Sequence, residues 1–379
     1  MDLSRVLTGP YAAMMLGDLG ARVIKVERPG AGDDTREWGP PFVEPDVAGR
    51  APESTYFLSA NRNKESIVLD FKDEDDRALL DELISRADVV VENFRTGVMD
   101  RLGLGHERLL EVNPSLIVLS ITGFGHDGPE ASRPGYDQIV QGEGGLMSFT
   151  GPDPATPTKV GVPIADILAG MFGAYGVAAA LYERSRTGRG RVVRTSLLGG
   201  IVGVHTFQGT RWLLAGEVPK PSGNRHPTVS PYGAFRCRDG YVQIAVGNEV
   251  AWRRFAPLVG LDPGDTRFAT NRARVQSYDE LQNIIEDSFA QTDRKDLLAL
   301  FEREGIAAGE IKSLDEVYSW DQVLAQQLVI ETIHSTLGPI RLPGTPLRFD
   351  GGGRSEHLPP PVLGEHSDAI RAWLRQEDD

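Results

Sequence analysis

The stretch 160-VGVPIADILAGMFGAYGVAAALYERSRTGRG-190 sets one acid, Asp166, at the entrance to a long apolar run. No residue from 167 to 182 carries a formal charge, and Gly170, Gly173, Ala174 and Ala178 recur at helical spacing. That pattern predicts a buried helix that packs closely against its neighbours. Pro163 stands before the run and an Arg-rich turn over 183–194 follows it, so Asp166 falls at or near the helix N-terminus. Unpaired backbone N–H groups and the helix dipole favour an anionic carboxylate there. A plain N-cap and a nucleophile both fit the position, and the segment alone does not choose between them.

Upstream of this helix, short β-rich runs alternate with helical ones. A helix is expected over 11–19, a strand over 22–27, a strand over 65–71, a helix over 73–86, a strand over 88–92, a helix over 106–111 and a strand over 116–121. This alternation argues for a parallel α/β sheet of Rossmann type, with ligands at the carboxyl ends of the strands. The chain opens where the first strand of a β-α-β unit should end, so that strand is expected to be missing. The polar turn 61–64, rich in Asn, Arg and Lys, reads as solvated. Gly123, Gly125 and Gly128 match G-x-G-x-x-G after a strand, yet PEASRPG behind them cannot open a helix. The match is therefore rejected as a dinucleotide site, and the glycines read as a loop that approaches a ligand or a neighbouring strand.

Downstream, 197–214 reads as one helix carrying His205, itself read as a satisfied core residue. The composition shifts over 217–231, and Asp239-Gly240 then marks a hairpin between strands over 232–238 and 241–246. Helices over 249–259, 277–290 and 294–304 complete a smaller α+β module, and a last helix covers 367–375. The implied division is a large α/β domain over 1–215, a linker over 216–231, a small α+β domain over 232–305, and a segment over 306–379 that returns to the large domain.

At 379 residues, two domains are the natural expectation. Forty basic against 54 acidic residues give a formal charge of −14, a poor balance for a nucleic-acid binder. Local arginines can still hold an anionic small molecule. Cys237 is the single cysteine, which excludes an intrachain disulfide and a cysteine-based zinc site. No secretory leader is recognised, the run 167–182 falls short of a bilayer span, and the protein is expected to be cytoplasmic with no membrane partner.

Several segments then carry a resemblance in the same order along the chain: VIKVERPGAGDDTREWGPPF, NRNKESIVLDFK, VVVENFRTGVMDRLGLG, SITGFGHDGP, the Asp166 helix ending in RTGRGRVV, GNRHPTVSPYGAF and PPPVLGEHS. Together they resemble the class III CoA-transferases, the CaiB/BaiF or formyl-CoA-transferase-like group, and most closely its succinate–hydroxymethylglutarate branch. The resemblance makes Asp166 the nucleophile. It implies transfer of CoA from an acyl-CoA, succinyl-CoA foremost, to a small carboxylic acid through an aspartyl anhydride and an aspartyl-CoA thioester. Coenzyme A is a substrate here, and no metal or permanently bound cofactor is implied.

By motif, Arg28, Leu69, Lys72, Asn93, Phe94 and Arg101 match positions that hold CoA. Tyr136 matches an aromatic at the reaction centre, and Gly223, Arg225 and His226 match a loop that closes over the acyl group. The family's ring-shaped subunits form interlocked homodimers. The sequence departs from the family in its absent opening strand and in Arg194, which stands where an acid is usual. A racemase of the same fold would need a His before Asp137, where Tyr136 stands, and a tyrosine is a poor base at neutral pH. A catalytically silent CoA-binding protein is the other alternative, and the intact Asp166 argues against it.

Overall fold

The computed structural model describes residues 1–350 and 356–376, and its chain divides into two compact units. The first comprises Met1–Leu146, Lys159–Glu217 and the chain from Asp321 onward; the second comprises Met147–Thr158 and Val218–Trp320. Residues 351–355, within the Pro-Gly-rich passage, and 377–379 lie outside the described residues.

The first unit is built on a parallel sheet. Helix α1 (Thr8–Asp18) leads to strand β1 (Val23–Glu27), which pairs in parallel with β2 (Lys64–Val68). Helix α2 (Glu74–Arg86) leads to β3 (Val89–Glu92), and α3 (His106–Val112) leads to β4 (Ile117–Thr122). Strand β5 (Arg191–Ser196) closes the order β3-β4-β5, again in parallel. The helices start where capping chemistry allows. Asp73 accepts hydrogen bonds from the N–H groups of Asp75 and Asp76, and so satisfies two of the orphan donors of α2.

In place of the expected opening strand, a single residue makes its sheet contacts. Asp2 bridges Lys25 on one side and Val91 on the other, both in parallel, and joins the two ladders into one sheet. Its N–H donates to Ile24 O at 2.8 Å, and the N–H of Leu3 donates to Val91 O at 2.8 Å. The Asp2 side chain is fully buried and pairs with Lys64 at 2.9 Å, which holds its carboxyl far below the usual carboxylate range despite burial.

Lys64 also corrects the solvated reading of the turn 61–64. Asn61, Arg62, Asn63 and Lys64 are all buried. Lys64 Nζ donates to Pro10 O and to Asn61 Oδ1, both at 2.8 Å, and Arg62 forms a two-pronged pair with Asp18. Cations can enter the interior here because acids from α1 and the opening residues meet them.

Between β4 and β5 run α4 (Asp137–Glu143) and the long α5 (Ile164–Thr187). At 24 residues α5 exceeds the sequence expectation, and by length and composition alone it could cross a bilayer. It instead buries a stripe of Ala165, Ala169, Gly170, Gly173, Ala174, Val177 and Ala180. The alanines and Val177 of this stripe share an apolar cluster with Ala12 and Ala13 of α1 and with Ile117, Leu119 and Ile121 of β4. A Cβ at Gly170 would lie 2.8 Å from Thr8 O, and one at Gly173 would lie 2.9 Å from the Leu119 side chain. Both glycines are thus required by close approach.

The run 197–214 is not one helix. It splits into α6 (Leu197–Gly203) and α7 (Thr206–Ala215), with His205 at the break and Thr206 at φ +45°. His205 Nε2 pairs with Gly144 O at 2.8 Å, so the imidazole ties the break to the end of α4.

In the second unit, β6 (Tyr232–Cys237) and β7 (Gly240–Ala245) form the expected antiparallel hairpin, and β8 (Ala307–Glu310) adds to the far side of β7. Helices α8 (Glu249–Phe255), α9 (Tyr278–Phe289) and α10 (Arg294–Glu304) cover it, burying Trp252, Phe255, Phe289 and Phe301. Back in the first unit, α11 (Ser367–Leu374) and the residues before it run along the outer edge of β2.

Candidate active site

Asp166 is the third residue of α5, in its first turn, with Pro163 as N-cap. It is not the cap. The cap function falls to Asp137, whose Oδ1 accepts from the Ala165 N–H at 2.8 Å while its Oδ2 accepts from Gln141 Nε2 at 2.8 Å. Gln141 Oε1 in turn accepts from the Val160 N–H at 2.9 Å, fixing the chain as it enters α5. With the end of the helix satisfied elsewhere, the Asp166 carboxylate is left for other work.

That carboxylate is partly buried. Oδ1 accepts a hydrogen bond from the Thr8 hydroxyl, which comes from the first residue of α1. Burial pushes the Asp166 carboxyl up to about 6, the Thr8 hydrogen bond opposes the rise, and the charge of Asp137 adds to it. The helix N-terminus alone would have kept the group strongly acidic. Burial wins here, although a carboxyl titrating near 6 is still mostly ionised at pH 7.

A cavity of about 260 Å³ opens above Asp166 at the carboxyl end of β4, the edge where parallel sheets bind ligands. Among the described residues Asp166 is its only acidic lining residue, and Arg5, Arg95 and Arg133 are its basic ones. Tyr136, Asn93 and Phe94, three positions chosen from sequence, line it as well. Two glycines shape one wall: a Cβ on Gly123 would lie 2.6 Å from Gly135 Cα, and one on Gly135 would lie 2.5 Å from Gly123 Cα. The loop after β4 and the entry to α4 therefore touch backbone to backbone, which explains part of the rejected glycine motif.

A second cavity of about 310 Å³ brings together Arg28, Leu69, Lys72 and Phe94, four of the six positions that the resemblance assigned to CoA, without Asn93 and Arg101. Arg5, Phe94 and Val98 line both cavities. Arg28 pairs with Asp34 at 2.6 Å, and Leu69 is buried. The Asn93 amide is engaged in both directions with the backbone of Arg5, accepting from its N–H at 2.8 Å and donating to its carbonyl at 2.6 Å. It positions the loop that carries Arg5, whose guanidinium lies 5.5 Å from the Phe94 ring centre. Arg101 closes the helical turn Val98–Arg101 and lines neither cavity.

Gly223, Arg225 and His226 belong to the second unit. Gly223 has φ +57° and donates from its N–H to Gly151 O at 2.9 Å. Arg225 pairs with Asp279 at 3.2 Å and lies over the Tyr278 ring, and the His226 ring stacks on Tyr232. Arg194 sits opposite Ser120 in the β4–β5 register and lines a side cavity with Glu92, His106 and His126. Burial first, and Arg194 second, push the His126 imidazole down.

Sequence reasoning missed Thr8, Asp137, Gln141 and Arg5 as parts of the site. Tyr56 does not line the Asp166 cavity, but its hydroxyl is pushed up to about 12 by burial and then by the charges of Asp166 and Asp137. No spacing rule links Thr8 to Asp166, 158 residues away. Nor does any spacing rule link Asp137 to the start of α5, 28 residues on.

A succinyl-CoA:glutarate CoA-transferase from Mus musculus is 43% identical over 381 residues, spanning 100% of this chain and 86% of that protein. A succinate–glutarate CoA-transferase from Agrobacterium fabrum is 40% identical, spanning 99% and 94%. The crystal structure of a CAIB/BAIF family protein from Brucella suis superposes with a TM-score of 0.87 at 41% identity, over 98% of this chain and 97% of that one. The model of CoA-transferase family III matches residues 1–367. This chain belongs to CoA-transferase family III and is an enzyme of that class.

Proposed function

We propose that the enzyme moves CoA from succinyl-CoA to a short dicarboxylate of the glutarate class, with Asp166 as the covalent nucleophile. The observation that carries this reading is a lone carboxylate, partly buried and held by the Thr8 hydroxyl, facing a cavity whose other charged residues are arginines. The names of the mouse and Agrobacterium relatives support the choice of acids.

In the proposed sequence, Asp166 attacks the thioester carbonyl and releases CoA thiolate, leaving a mixed anhydride. The thiolate then attacks the aspartyl carbon and releases the donor acid, giving an aspartyl-CoA thioester. The acceptor carboxylate runs the two steps in reverse. Arg28 and Lys72 in the second cavity suit the phosphates of CoA, and Arg5, shared by both cavities, suits the stretch that leads to Asp166. A racemase would need a histidine facing the substrate α-carbon, and among the described residues no histidine lines the Asp166 cavity.

The working form is proposed to be a homodimer, interlocked as the family resemblance implies. Helix α7 buries none of its residues and exposes Phe207, Trp212, Leu213 and Leu214, while α5 exposes Met171, Phe172, Tyr175 and Tyr182. Apolar surface of that extent calls for a partner, and a second copy is the natural one.

The test of the chemistry is label exchange. The native enzyme should exchange labelled glutarate into glutaryl-CoA with succinyl-CoA as donor, and hydroxylamine should trap a hydroxamate at Asp166. Asp166→Ala should bind CoA with unchanged affinity and lose exchange. Retention of exchange by Asp166→Ala would sink the proposal.

A further inference from the structure

We propose that Thr8 is a catalytic hydrogen-bond donor: its hydroxyl holds Oδ1 of Asp166 and stabilises the negative charge that this oxygen takes up when CoA attacks the aspartyl carbon. The inference rests on Asp166 being the nucleophile, as proposed above. Thr8 Oγ1 donates to Asp166 Oδ1, Thr8 is 3% exposed, and it lines the same cavity as the carboxylate. Among the described residues no second side chain donates a hydrogen bond to this carboxylate.

The donor is placed by backbone rather than by a mobile side chain. Thr8 begins α1, and its carbonyl packs where Gly170 of α5 has no side chain, one turn beyond Asp166. The contact between the two helices therefore sets the distance from hydroxyl to carboxylate before any substrate binds. That is the preorganisation expected of a group that stabilises developing charge.

The consequences follow atom by atom. With Oδ1 engaged, Oδ2 is the oxygen that attacks the acyl carbon. The carbon–sulfur bond of the thioester breaks and CoA leaves as thiolate. In the resulting anhydride Oδ2 bridges the two carbonyl carbons, and Oδ1 is the aspartyl carbonyl oxygen. The thiolate then forms a bond to Cγ, and the π pair of Cγ=Oδ1 moves onto Oδ1, where the Thr8 hydroxyl already points. When the pair returns, the Cγ–Oδ2 bond breaks and the donor acid departs as a carboxylate. One negative charge enters this step and one leaves it, and no proton changes hands. Thr8 therefore needs to donate a hydrogen bond but never to give up its hydrogen. The same donor serves the reverse steps with the acceptor acid.

Thr8→Val keeps the shape and removes the donor, while Thr8→Ser keeps the donor. With succinyl-CoA and glutarate, kcat of Thr8→Val should fall on the order of 10²-fold, the usual loss for one such donor, with KM for succinyl-CoA little changed. The acid limb of its kcat/KM profile should move to higher pH, because a carboxylate that loses a donor becomes a stronger base. Acid-quenched intact mass should show the trapped species shifting from aspartyl-CoA towards the acyl anhydride. Thr8→Ser should restore the rate, the limb and the partition. Should Thr8→Val fail to fold, Thr8→Ala carries the same expectations. A folded Val or Ala variant with the native pH limb and native partition overturns the inference, whatever its loss of thermal stability. Asp166→Ala separates the two readings. If it stays active, the nucleophile assignment falls; if it is inactive while the Thr8 variants are unaffected, only the role of Thr8 falls.

Discussion

The burial that lifts the Asp166 carboxyl to about 6 is a cost to the folded chain as well as a property of the site. A carboxyl that titrates higher folded than unfolded destabilises the native state whenever it is ionised. The cost is absent below its ordinary value of 3.8, grows as pH rises towards 6, and is constant above that. The linkage amounts to roughly 3 kcal/mol at pH 7. Asp166→Asn, which removes the charge and keeps an acceptor for Thr8, should therefore unfold at a higher urea concentration than the native enzyme at pH 7. The advantage should shrink towards zero near pH 4, and a gap independent of pH would contradict this account. At this scale the sequence was legible where chemistry is carried by motif: Asp166, Tyr136, Asn93 and Phe94 do share a cavity. It was silent on Thr8, because a threonine opening a helix is unremarkable until the fold places it against a carboxylate from elsewhere in the chain.

Among elements, the contact between α1 and α5 carries the most consequence. Gly170→Ala would place a methyl 2.8 Å from Thr8 O, a backbone atom that cannot swing away. The helices must separate, at a cost of about 1–3 kcal/mol, and the Thr8–Asp166 hydrogen bond should lengthen with them. We expect lower thermal stability together with a kcat loss larger than that of the control Gly247→Ala, whose added methyl would meet nothing within 4 Å. A Gly170→Ala enzyme with native kcat would show that the helix spacing does not matter to turnover. The small-residue spacing that predicted α5 was readable because close packing leaves a period in the sequence. The break between α6 and α7 was not, since both sides are apolar and what marks the turn, the His205–Gly144 contact and the positive φ of Thr206, depends on the fold. The turn 61–64 misled for a related reason: cations read as solvated unless their partners, Asp2 and Asp18, are known to lie beside them.

For the molecule as a whole, the exposed apolar residues of α5 and α7 predict assembly. Light scattering on the eluting protein should give twice the chain mass at micromolar concentration. Leu213→Asp combined with Leu214→Asp, at positions 78% and 84% exposed, should shift it towards one chain mass. A native protein that elutes as a single chain would remove the dimer from the proposal. The parallel sheet was legible from the alternation of strands and helices. That three separate stretches of chain build the first unit was only partly legible, because the returning segment after Asp321 carries little periodicity of its own.

The outer edge of β2 has a consequence for how the chain is made. The Ser66 N–H donates to His366 Nδ1, the His366 N–H donates to Ser66 O, and the Val68 N–H donates to Ser367 Oγ. A strand translated among the first seventy residues thus has one flank satisfied only by residues some three hundred positions later. During synthesis that flank is an open template for any extended segment nearby. The nascent enzyme should therefore depend on chaperones until translation is nearly complete, and a ribosome that stalls before residue 366 would release a chain with a sticky sheet edge rather than a smaller working protein.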